Sequence, residues 1–119
     1  MATGPITIYH NPRCSKSRQT LAILQESGVE PRIILYLDDP PTADELEQLA
    51  TCLGLEPSEF IRKKEAAYRE LAPAGDTRSR RELLEVMAEI PILIERPIVV
   101  RGQTAVLGRP PENVRQLIQ

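Results

Sequence analysis

Pro5-Ile6-Thr7-Ile8-Tyr9-His10 runs into Asn11-Pro12-Arg13-Cys14-Ser15-Lys16-Ser17-Arg18, and this stretch decides the fold. Its first six residues are short, β-branched and alternating, the pattern of a strand. Beyond the Asn11-Pro12 turn, Ser17, Thr20, Leu21 and Leu24 fall on one stripe of helical period, and Gly28 supplies a C-terminal stop. Pro31-Arg32-Ile33-Ile34-Leu35-Tyr36-Leu37 then predicts a buried strand, because a nearly continuous apolar run bounded by prolines suits the centre of a sheet. Strand, helix, strand is a parallel βαβ unit, and it sets Cys14 where the first strand hands over to the helix.

That position favours a reactive thiol. Backbone N–H groups at a helix start lack intrahelical partners and carry partial positive charge, so they stabilise a thiolate. An ordinary thiol is only a few per cent ionised at pH 7, and lowering a pKa by about two units takes roughly 2.7 kcal/mol, whereas a helix terminus supplies at most about 2 kcal/mol. Further positive charge or hydrogen bonding near Cys14 is therefore required, and arginines are the obvious suppliers. His10, the one histidine, either orders the Asn11-Pro12 turn or tunes the charge around the thiol, and Asn11 suits capping of that turn. Ser17 stands where a dithiol oxidoreductase would carry its second cysteine, which favours a monothiol mechanism. Cys52 borders the apolar face of a later helix three residues after Leu49 and reads as core filler, with a resolving thiol as the alternative.

Downstream, Asp38-Asp39-Pro40-Pro41 breaks the pattern, and Thr42 with Glu45 forms a capping box ahead of Leu46, Leu49, Ala50 and Leu53, ended by Gly54. Pro57 to Leu71 predicts one or two short helices, with Phe60 and Ile61 inward and Arg62-Lys63-Lys64 near a turn. Ser79 and Glu82 make a second capping box before Leu83, Val86, Met87 and Ile90, and Pro91 stops that helix. Ile98-Val99-Val100 and Thr104-Ala105-Val106-Leu107 flank Arg101-Gly102-Gln103 as a hairpin, and Pro110-Pro111 opens a last helix carrying Val114, Leu117 and Ile118.

With 119 residues, 41% of them hydrophobic, the chain is expected to form a single domain over 1–119, with a helical insertion at about 42–90. A net charge of −2 argues against nucleic-acid binding, which needs a basic face. Met1-Ala2-Thr3-Gly4 shows no leader pattern and no apolar run approaches membrane-spanning length, so the expected location is cytoplasmic, with no membrane partner. The two cysteines show neither Cys-x-x-Cys nor zinc spacing, and no metal is expected. Only three of the 15 basic residues are lysine, and arginine's planar fork suits bidentate contacts to oxygen.

The order β-α-β, helical block, β-β-α resembles the thioredoxin-like fold: an α/β protein with a mixed four-stranded sheet and a helical insertion between its βαβ and ββα halves. That likeness implies a cis Arg96–Pro97 peptide opposite the cysteine. His10-Asn11-Pro12-x-Cys14, Arg62-Lys63 after Phe60-Ile61, Glu95-Arg96-Pro97-Ile98-Val99-Val100 and Gly108-Arg109-Pro110 then occur in order. Together they are similar to the glutaredoxin-coupled arsenate reductases, over nearly the whole chain from Ile6. The resemblance implies that Cys14 attacks arsenate, that Arg62, Arg96 and Arg109 bind the anion and stabilise the thiolate, and that His10 tunes the thiol as a second catalytic residue, with Asn11 expected as a further substrate-binding residue. It further implies a Cys14–arsenate adduct, attack by glutathione as co-substrate, electron delivery through glutaredoxin, release of arsenite, and no tightly bound cofactor. Ser15-Lys16 departs from the Gly-Thr of the arsenate reductases it resembles, so a reductase acting on another small substrate stays open. A redox-responsive binding protein resembling the Spx regulators also stays open, although Cys14-x-x-Ser17 cannot form their usual disulfide.

Overall fold

The computed structural model describes residues 4–72 and 77–118; Met1-Ala2-Thr3 of the leader reading lies outside them. Its elements are β1 (Ile6–His10), α1 (Ser15–Glu26), β2 (Arg32–Leu35), α2 (Ala43–Leu53), α3 (Pro57–Phe60), α4 (Ala66–Leu71), α5 (Arg80–Glu89), a 3-10 turn (Pro91–Leu93), β3 (Ile98–Arg101), β4 (Thr104–Leu107) and a closing 3-10 helix (Pro111–Leu117). They fall into two compact units, a sheet unit made of Met1–Asp39 with Arg96–Gln119 and a helical unit made of Pro40–Glu95.

The sheet unit holds four strands in the order β2-β1-β3-β4, with β1 parallel to β2 and antiparallel to β3, and β3 antiparallel to β4. This is the mixed α/β sheet of a thioredoxin-like fold. Its core is a cluster of Ile6, Ile8, Leu24, Val99, Val114 and Leu117, through which α1 and the closing 3-10 helix pack on the sheet and on each other. The β3–β4 turn needs its glycine, since Gly102 has φ of 63°. The Arg96–Pro97 peptide is cis as expected, and Arg109–Pro110 is cis as well.

Two expectations need correction. The apolar run at 31–37 lies at the sheet edge and not at its centre: β1 takes the central place, and Ile33, Leu35 and Leu37 are 44%, 41% and 40% exposed. In the parallel register Ile33 sits beside Ile8 and Leu35 beside His10, so these side chains share the face on which Ile8 is buried. Only Tyr36 of the run is fully enclosed. A continuous apolar run carries no information about which strand becomes its second neighbour, and here β3 takes the open side of β1. The closing helix is 3-10 throughout, with Pro111, Val114 and Leu117 buried at intervals of three, the repeat of that helix.

In the helical unit the capping boxes form as expected. The Thr42 hydroxyl accepts the Glu45 N–H, the Ser79 hydroxyl accepts the Glu82 N–H, and each glutamate returns the contact to the backbone of its cap. Helices α2 and α5 pack on each other, with Leu46, Leu49, Ala50, Leu83, Leu84 and Met87 buried. Leu84 takes a core place that the helical spacing assigned to Val86 and Ile90, both only half-buried. Residues 60–62 run antiparallel to 93–95: Arg62 N–H donates to the Leu93 carbonyl at 2.7 Å and Glu95 N–H to that of Phe60 at 2.9 Å. Cys52 is free and half-buried on α2. Among the described residues no helix is long and apolar enough to cross a membrane.

Candidate active site

The turn before α1 is built from its own polar atoms. Asn11 Oδ1 accepts the Arg13 N–H at 3.0 Å, the Asn11 carbonyl accepts the Cys14 N–H at 3.0 Å, and the Cys14 carbonyl accepts the first helical bond, from Arg18 N–H. Cys14 is thereby the N-cap of α1, with extended backbone angles. Its side chain caps no backbone N–H, so Sγ stands at the positive end of the helix without being consumed by it. The thiol is free and only 8% exposed.

Arg109 reaches this sulfur from the far end of the chain. It follows β4, and its Nη1 lies 3.9 Å from Cys14 Sγ while also donating to the Arg96 carbonyl at 3.3 Å. The two arginine-bearing loops are thus joined beside the thiol, and Nε and Nη1 of Arg96 are themselves buried. What lets them come so close is Gly108. A Cβ there would fall 2.4 Å from Thr20 Oγ1 on α1 and 2.6 Å from Pro97 Cγ, and the Gly108 N–H donates to the Pro97 carbonyl at 2.9 Å. Residues 20, 97 and 108 therefore form one tightly packed junction next to Arg109 in the chain.

His10 and Ser17 make a second polar pair. His10 Nδ1 lies 2.6 Å from Ser17 Oγ, which also accepts the Asn11 N–H at 3.0 Å. Both side chains are buried. Burial, and secondarily the nearby Arg18 guanidinium, lowers the His10 pKa below its ordinary value of 6.5, so the imidazole is neutral at pH 7. The Ser17 hydroxyl, already accepting from Asn11, can give its proton to Nδ1, which leaves the imidazole proton on Nε2. Arg18 itself donates to the Pro12 carbonyl at 2.8 Å and braces the turn. A cavity of about 280 Å³ opens beside the turn, lined by His10, Asn11, Pro12, Arg13, Leu35, Leu37 and Asp38.

The structure therefore gathers Cys14, His10, Asn11, Arg96 and Arg109 within the sheet unit. Arg62 belongs to the helical unit, where it follows α3 and pairs with Glu65 and, at 3.6 Å, with Glu95. Sequence reasoning missed the supporting roles of Thr20, Gly108 and Arg18. For Thr20 a signal existed: a polar residue on the core-facing stripe of α1 demands a buried partner. Gly108 is marked only as part of the Gly108-Arg109-Pro110 motif, and nothing local announces its close approach to Thr20 and Pro97.

A family model described as the ArsC family matches residues 9–117. The uncharacterized protein YfgD of Escherichia coli (strain K12) is 47% identical over 117 residues, 98% of each chain. An arsenate reductase of Escherichia coli is 45% identical over 114 residues, 96% of this chain and 81% of the relative, and that of Haemophilus influenzae is 42% identical over 95% and 98%. Among solved structures, an arsenate reductase from Vibrio cholerae superposes with a TM-score of 0.91 at 47% identity, covering 95% of this chain and 97% of the other. Sheet order, cysteine turn and near full-length similarity converge on one assignment: the chain belongs to the ArsC family.

Proposed function

We propose that this protein reduces arsenate to arsenite, with Cys14 as the nucleophile. The observation that carries the reading is the guanidinium of Arg109 placed 3.9 Å from the sulfur of Cys14, the residue at the N-cap position of α1. Fixed cationic donors and a helix N-terminus favour the anionic sulfur, and the same forks bind a tetrahedral oxyanion. Arg96 and Arg109 take the anion, Asn11 holds the turn that presents the thiol, and neutral His10 steadies that turn through Ser17.

In the proposed reaction the Cys14 thiolate displaces one arsenate oxygen, which leaves as water after protonation, and a sulfur–arsenic bond forms. Two thiols then supply the two electrons that convert As(V) to As(III): glutathione displaces a second arsenic-bound oxygen, which leaves as water after protonation, and a glutaredoxin cysteine attacks the glutathione sulfur, breaking its bond to arsenic so that the electron pair stays on arsenic and glutathione and glutaredoxin depart as a mixed disulfide. Hydrolysis of the remaining sulfur–arsenic bond releases arsenite and regenerates Cys14. No tightly bound cofactor takes part, and the reducing cytoplasm supplies the glutathione. The similar arsenate reductases at 42–45% identity support this choice of substrate.

The test is arsenate-dependent NADPH oxidation in the presence of glutathione, glutaredoxin and glutathione reductase. The wild type turns over, Cys14→Ser does not, and omission of glutathione or glutaredoxin stops the reaction. Turnover by Cys14→Ser would reject the mechanism, and an inert wild type would reject arsenate as the substrate.

A further inference from the structure

We propose that Asn113 is a positioning residue for Arg109, an inference that rests on the reading of Arg109 as the cation serving Cys14 and the anion. The loop from β4 to the closing 3-10 helix is Gly108-Arg109-Pro110, followed directly by Pro111. A tight turn here would ordinarily draw its hydrogen bonds from the N–H groups of residues 110 and 111, but both are proline and have none to give. The side-chain amide of Asn113 supplies them from the first turn of the 3-10 helix. Its Nδ2 donates to the Leu107 carbonyl at 3.1 Å and to the Arg109 carbonyl at 3.3 Å, while its backbone N–H donates to the Pro110 carbonyl at 3.0 Å.

One side chain therefore bridges the two ends of the segment that carries Arg109. On the other side the segment is pinned at Gly108 by Thr20 and Pro97. The Arg109 backbone is held between these two supports, and its guanidinium meets Cys14 at 3.9 Å, near the outer limit of a contact with sulfur. A small outward shift of the loop would break it. The hydrogen bonds of Asn113 go to the Leu107, Arg109 and Pro110 carbonyls, so it acts through the backbone that carries the arginine.

The experiment compares Asn113→Ala, Arg109→Ala and the double variant in the full chain, using two readouts: the rate of Cys14 alkylation by iodoacetamide at pH 7 and the arsenate KM in the coupled assay. Loss of two neutral hydrogen bonds that fix a loop predicts that Asn113→Ala slows alkylation by about 3- to 10-fold and raises KM by a similar factor, with kcat changed less. In the Arg109→Ala background, adding Asn113→Ala changes neither readout. Asn113→Ser, which keeps one shorter donor, falls between, and carries the same comparison should the alanine variant not fold. An equal Asn113→Ala effect in both backgrounds overturns the inference, as does an unaltered Asn113→Ala protein when Arg109→Ala is impaired. If Arg109→Ala itself leaves both readouts unchanged, the reading of Arg109 falls, a failure distinguishable from that of Asn113 alone.

Discussion

His10 is buried as a neutral imidazole, and that fixes a pH dependence. Its pKa in the folded chain lies below 6.5, so as acidity rises the unfolded chain takes up this proton first. The contribution to stability is complete above 6.5 and is lost as pH falls through the lowered folded value. Urea denaturation at pH 7.5 and 5.5 is expected to show a drop in stability for the wild type, and a smaller drop for His10→Gln; equal drops would contradict it. Gly108 carries the second prediction at this scale. A methyl at 2.4 Å from Thr20 Oγ1 and 2.6 Å from Pro97 Cγ forces the junction apart, so Gly108→Ala is expected to cost about 1–3 kcal/mol. Combining it with Thr20→Ala, which removes the nearest atom, should give less than the sum of the two single losses in the same measurement.

At the scale of elements, local chemistry announces itself where it is local. Thr42 with Glu45 and Ser79 with Glu82 close their capping boxes within four residues, and both helices start where those pairs place them. Ser79→Ala is expected to cost about 1 kcal/mol by chemical denaturation, and no change would show the cap to be idle. Strand β2 shows the opposite case. Its apolar run marks it as a strand, but central or edge placement depends on where β3, more than 60 residues later, finds its partner. Because Ile33 lies at the exposed edge, Ile33→Thr is expected to cost less than about 1 kcal/mol, against about 2–5 kcal/mol for Ile8→Ala in the core. A loss at Ile33 as large as that at Ile8 would place β2 in the interior after all. The 3-10 closing helix was likewise legible as helical but not by type, since burial at positions three apart fits both repeats.

Over the whole molecule, the succession of strands and helices, the helical insertion and the cysteine turn were readable because strand alternation, helical stripes and glycine or proline punctuation are short-range signals, whereas the strand order was not. The candidate site was readable residue by residue but not as an arrangement. Cys14 and Arg109 are 95 positions apart, and no local pattern states that Gly108 must pass against Thr20 to bring them within 3.9 Å. Resemblance at the motifs supplied the residues; the structure supplied the supports beneath them. We propose that charge around Cys14, and not exposure, makes it the reactive sulfur. Cys14 is 8% exposed while Cys52 is more open, so access alone would have Cys52 labelled first. A brief iodoacetamide pulse at pH 7, read by peptide mass mapping with and without arsenate, separates the two. Faster labelling is expected at Cys14, with protection by arsenate at Cys14 alone. Cys52 labelled first, or Cys14 labelled at a rate indifferent to arsenate, would contradict it.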